Sequence, residues 1–216
     1  MAKVAQPMDV SLAALKRSPL YSEELGISLS DANDSEYFKW FLASLFFGGH
    51  ITETIARHTY QAFVNHNLMT PDAILTAGLD YLVHPIMREG GYVRYDGRKS
   101  NQILRDCEQL MSDYDGSLKR LHEMAADTQD LEQRLQAFYG IGPMTMNIFL
   151  RELRPFWRKA NPPPLPMVRE LATALGIDLE SINPKTLTFC RIEAGLIRQR
   201  KQLQEVVATR RQGENV

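Results

Sequence analysis

The stretch that decides the fold is Leu135-Gln136-Ala137-Phe138-Tyr139-Gly140-Ile141-Gly142-Pro143-Met144-Thr145-Met146-Asn147. Two glycines flank one apolar residue, which allows a tight reversal between helices and leaves backbone amides unshielded. Ile141 is expected to plug down between the helices while those amides point outward. Pro143 suits the first turn of the second helix, where a missing N–H costs nothing. Free amides and the positive end of a helix together form a phosphate-binding surface that reads no base. Gly-x-Gly also occurs in ordinary helix–loop–helix turns. Here Arg151, Arg154, Arg158 and Lys159 follow closely, as backbone recognition would require.

Helical periodicity extends outward from this segment in both directions, and β-branched alternation is nearly absent. Asp34-Ser35-Glu36 starts an apolar helix over 37–47 that Gly48-Gly49 ends. A second helix begins near Thr52. Thr70-Pro71-Asp72 combines a cap, a first-turn proline and an acid at the positive dipole end. A short helix is expected over 79–87, and Asp96-Gly97 gives a turn before an amphipathic helix over 99–111. Asp127 or Thr128 caps a helix over 131–139, and the helix after the hairpin runs to Leu153. The prolines of 161–166 exclude helix there. Helices resume over 167–175 and, capped by Asn183-Pro184, over 185–204. The expectation is an all-α fold of about ten helices, with a frayed tail at 208–216.

The chain has 216 residues, 44% of them apolar, enough to bury a core. No apolar run reaches the roughly 20 residues of a membrane span. The first residues lead into no hydrophobic segment, so an intracellular protein with no membrane partner is expected. Cys107 and Cys190 lack metal-ligand spacing, so no four-cysteine zinc or iron–sulfur site is expected within one chain; a disulfide or two buried thiols remain. The net charge of −1 argues against bulk attraction to nucleic acid. Its distribution is uneven: residues 1–150 carry 13 basic and 19 acidic side chains, residues 151–216 carry 12 and 7. A basic face from the C-terminal third, or merely solvated helix faces, would account for this.

Gly140-Ile141-Gly142-Pro143-Met144-Thr145 resembles the hairpin of the helix–hairpin–helix DNA glycosylases, the superfamily of endonuclease III and the bacterial 3-methyladenine glycosylases, and is closer to the latter. Phe41 to Thr54 resembles that family's first core helix and the loop lying against DNA. Thr70-Pro71, the segment from Leu79 to Gly91, and Arg98-Lys99-Ser100 with Ile103-Leu104 follow its helix order; the similarity spans about residues 35–170. The resemblance implies a two-lobed helical bundle without an iron–sulfur cluster. Residues 35–153 would form one lobe, and 1–34 with 154–207 the other. It further implies a monomer that kinks double-stranded, damaged DNA and extrudes a base into a pocket, as in base excision repair. A monovalent cation held by hairpin carbonyls is implied as well, with no other cofactor.

Two departures separate binding from chemistry. The position of the family's nucleophilic lysine is Met144, so no lyase step can run through it. Alignment on Arg169 puts Pro164 where the family has its catalytic aspartate, and no acid lies between Glu152 and Glu170. A monofunctional glycosylase with a displaced carboxylate, or a glycosylase-fold protein that binds bent or damaged DNA without excision, follows from this. Glu170 and Glu53 are the candidate carboxylates, or else ordinary acids near helix N-termini. Gly140, Ile141, Gly142, Met144 and Thr145 are the candidate DNA contacts of the hairpin. Lys99 either meets a phosphate or lines a helix. His50 either enters the DNA stack or sits on a surface loop, and Tyr92 and Tyr95 line a base pocket or belong to the core.

Overall fold

The computed structural model describes residues 11–203. The first ten residues, the end of the expected last helix at Gln204 and the expected tail at 208–216 lie outside the described residues. Among those described there are helices and no strands. Nor is any described helix long and apolar enough to cross a membrane.

The helix α3 (Asp34–Phe47) is the centre of the core, with Trp40, Leu42, Ala43, Leu45 and Phe46 essentially inaccessible. A helix apolar on all sides must be surrounded. It packs against α4 (Glu53–Asn65), α7 (Leu118–Met124) and α9 (Pro143–Leu153). Phe41 meets Phe138 and Phe149 edge-on, both at 5.6 Å between ring centroids. The buried Trp40 indole donates to the Phe149 carbonyl at 3.0 Å, so the α3–α9 contact carries no orphan donor.

Local chemistry sets most helix starts. Asn33, Thr52, Thr70, Ser117, Asp127 and Thr186 each accept a first-turn amide, at α3, α4, α5 (Pro71–Tyr81), α7, α8 (Thr128–Gln136) and α11 (Leu187–Arg198). The cap of α11 is thus Thr186 rather than Asn183-Pro184. Two further differences have backbone causes. The expected helix over 79–87 is interrupted: α5 kinks at Gly78 and passes into a π-helical turn over Leu82–Met87. Asp96-Gly97 is the first turn of α6 (Asp96–Tyr114) rather than a loop, because Tyr95 takes a left-handed conformation (φ 64°) and reverses the chain one residue earlier.

The two ends of the described chain meet. The short α1 (Leu12–Leu15) and α10 (Pro166–Ala174) both pack on α11, which in turn contacts α9. The second short helix, α2 (Tyr21–Glu24), is fixed by Glu152 of α9, whose carboxylate accepts the amides of Tyr21 and Ser22, both at 3.0 Å. Cys107 and Cys190 are both buried and unbridged.

Candidate functional site

The hairpin between α8 and α9 turns at Gly140, whose φ of 74° favours glycine; a Cβ there would also lie 3.0 Å from the Gln102 amide. Ile141 is 6% exposed and plugs between the helices. Its amide is used internally, donating to the Phe138 carbonyl at 3.3 Å. Ile141 therefore anchors the loop and has no amide to offer a ligand, a correction to its expected direct contact. The helix α9 begins at Gly142 with no side-chain cap, and a Cβ on Gly142 would meet open space. With Pro143 lacking an N–H and the Met146 amide bonded to the Gly142 carbonyl, the first-turn amides left without an intrahelical acceptor are those of the exposed Met144 and of Thr145.

Thr145 is buried, with its hydroxyl against Gly48, where a Cβ would come within 2.1 Å of Thr145 Oγ1. Only its amide can serve a ligand. This close approach sets the exposed loop carrying His50 beside the start of α9. Glycine at position 48 is what brings loop and hairpin together.

Lys99 is turned inward. Its ammonium donates to the Leu45 carbonyl at 3.0 Å and to Gln102 Oε1 at 2.7 Å, closing the C-terminal end of α3. The helix-lining alternative thus describes it, and a phosphate contact does not. One and two turns on lie Gln102 and Asp106, the latter wholly inaccessible. Neither Asp106 oxygen makes a hydrogen bond of ordinary geometry; the donors that bear on it are the Gln102 amide and the Tyr139 backbone N–H. Burial pushes the Asp106 carboxyl up to about 8, against the pull of Lys99. Burial likewise brings Lys99 down to about 8, against the pull of Asp106.

A pH dependence follows, with opposite signs on its two sides. A carboxyl whose folded pKa is raised from 3.8 contributes stability present at low pH and lost as pH rises towards 8. A lysine whose folded pKa is depressed from 10.5 contributes stability present at high pH and lost as pH falls towards 8. Urea denaturation should therefore show stability falling from pH 5 to pH 8, and Asp106→Asn should flatten that fall. An unchanged slope in the variant would remove Asp106 as its source.

Arg151 and Arg154 also face inward, contrary to expectation. Both are at least 95% buried, because the α9 face that carries them packs on α2 and α11. Lys159 is spent on the carbonyls of His122 and Glu123. The basic group that does flank the hairpin is Arg105 of α6, exposed and 4.3 Å over the exposed Tyr139 ring. Arg98, two turns earlier on α6, is exposed too. Their seven-residue spacing on one helix face was the available sequence signal for this pair.

Of the two candidate carboxylates, Glu170 is exposed on α10. Glu53, in the first turn of α4, accepts from the Tyr21 hydroxyl at 3.2 Å and from Arg200 at 3.4 Å. Tyr92 is buried beside Phe46, whereas Tyr95 is exposed and lies against Arg94. The carbonyls a hairpin cation would use include those of Phe138 and Gly142, and each already accepts one amide, leaving one lone pair apiece. Among the described residues no group of three or more His, Cys, Asp or Glu is arranged to hold a metal ion. No family model, no curated protein and no solved structure matches the chain.

Proposed function

We propose that the chain binds double-stranded DNA along its phosphate backbone through the hairpin at Gly140–Met144, in a fold of the two-lobed helix–hairpin–helix glycosylase type. The observation that carries this reading is the uncapped start of α9 at Gly142, open to solvent, when seven other described helices satisfy their first turn with an N-cap side chain. Such a terminus offers amide donors and the positive end of an eleven-residue helix to an anion. The Arg105–Tyr139 pair and Arg98 supply charge alongside it. Because the donors are backbone, the grip is independent of sequence.

The test is the salt dependence of duplex affinity. Log–log plots should be linear, with a slope of about −0.9 per neutralised phosphate. An affinity that does not change with salt would instead favour a hairpin used for protein contacts.

Glu53 favours a second reading, monofunctional base excision with a displaced carboxylate. Tyr21 and Arg200 orient it, and it remains 39% exposed. A carboxylate there would stabilise positive charge on the sugar as the glycosidic bond breaks, while Met144 supplies no nucleophile. Single-turnover assays over a panel of lesion-bearing duplexes should then release one base. Glu53→Gln should slow that release by about 10²–10⁴-fold. If damaged duplex is bound but no base is released, binding without excision is the function.

A further inference from the structure

Away from the hairpin, three guanidinium groups converge on one aromatic ring. Arg198 lies 3.9 Å, Arg151 5.2 Å and Arg57 5.7 Å from the centroid of Tyr21. Arg200 approaches the same corner through Glu53, which in turn accepts from the Tyr21 hydroxyl. The carboxylates facing this cluster are Glu24, shared between Arg57 and Arg198, and Glu53. Glu152 lies beneath as a third carboxylate, accepting from the Tyr21 and Ser22 amides.

The cluster is short of acceptors. Arg151 is 5% exposed, and its guanidinium makes no hydrogen bond or ion pair among the described residues. Arg198 keeps Nε and Nη2 out of solvent without an acceptor among the described residues. A ring face offsets only part of the cost of burying an unpaired charge. Burial and the Glu53 charge push the Tyr21 hydroxyl up to about 12, so it remains a neutral donor and adds no negative charge.

We infer that this corner between α2, α4, α9 and α11 binds a phosphate monoester, with Arg151 and Arg198 as its principal donors. Four arginines face the three carboxylates Glu24, Glu53 and Glu152, which leaves a net positive corner that a bound oxyanion would offset. The guanidinium groups come from three separate helices, α4, α9 and α11, and all lie within 5.7 Å of the Tyr21 ring centroid. Guanidinium forks bind phosphate oxygens in pairs. The site is independent of the hairpin, since none of its arginines belongs to the turn.

The probe is inorganic phosphate, added to the full chain at constant ionic strength with chloride as the control. Phosphate at ten times its Kd should raise the thermal midpoint by about 4 °C over chloride. Arg151→Met, of similar length and uncharged, should weaken binding at least tenfold with helix content unchanged by circular dichroism. Arg198→Gln provides the same readout if Arg151→Met does not fold. Competition by a 5′-phosphorylated oligonucleotide, but not its unphosphorylated counterpart, would assign a strand terminus. Competition by neither would assign a free phosphate or nucleotide. No shift beyond chloride, or a shift retained in both variants, overturns the proposal. Gly142→Asp should leave the phosphate shift intact, so failure of the hairpin reading and failure of this one are distinguishable.

Discussion

Gly142→Asp is expected to weaken duplex binding by about tenfold to a hundredfold while leaving the fold as stable as before or slightly more so. Gly142 has φ −91° and ψ 177°, ordinary extended geometry, and a Cβ there meets nothing. Aspartate is also among the preferred helix caps, gaining a few tenths of a kcal/mol over glycine. Its carboxylate would accept the amides that a phosphate would otherwise take, and would repel the phosphate as well. Charge-assisted hydrogen bonds contribute roughly 1.5–3 kcal/mol each, which sets the size of the loss. Gly142→Asn caps the same amides without the charge and should fall between the two. Fluorescence anisotropy with duplex at fixed salt, beside a thermal melt, checks both halves. Wild-type affinity in the aspartate variant would remove the hairpin from the binding surface.

What could be seen in the sequence was what local chemistry determines. The caps at Thr70 and Asp127, the apolar α3, the reversal at Gly140 and the inward Ile141 all depend on residues within a turn or two of one another. Helix azimuth does not. Arg151 and Arg154 follow the hairpin in sequence, yet the side of α9 they occupy is decided by α2 and α11, whose residues lie some forty to a hundred and thirty positions away. Lys99 is set in part the same way: one of its two acceptors, the Leu45 carbonyl, belongs to α3, 54 residues earlier. The Arg105–Tyr139 pair requires α6 to pack beneath the hairpin. The helix α7 was not expected as a separate element; Asp34 at the start of α3 holds its beginning, accepting from Ser117 Oγ and the Lys119 amide. Arg151, Arg154 and Lys99 each owe their orientation at least in part to a partner distant in the chain.

Glu193→Ala should cost about 3–5 kcal/mol of stability, among the largest effects of any single substitution in the chain. Glu193 of α11 is 1% exposed and pairs with Arg154, the residue that ends α9, itself 1% exposed. Arg154 also donates to the Pro162 carbonyl at 2.6 Å and lies 5.1 Å over the Phe189 ring. Removing the carboxylate leaves a guanidinium buried among prolines and an aromatic ring, with neutral acceptors such as the Arg151 and Pro162 carbonyls in place of a charged partner. The loss should propagate to the proline segment, which bounds a cavity of about 320 Å³ lined by Arg154, Pro162, Pro163 and Phe189. The pair itself need not be stabilising on balance, because desolvating two charges offsets much of their attraction. Combining Glu193→Ala with Arg154→Met should therefore restore most of the lost stability, since no unpaired charge remains. Urea midpoints for the two single variants and the double variant decide the matter. A double variant as unstable as the two single losses added together would mean that packing around these side chains, and not their charge, holds α9 to α11.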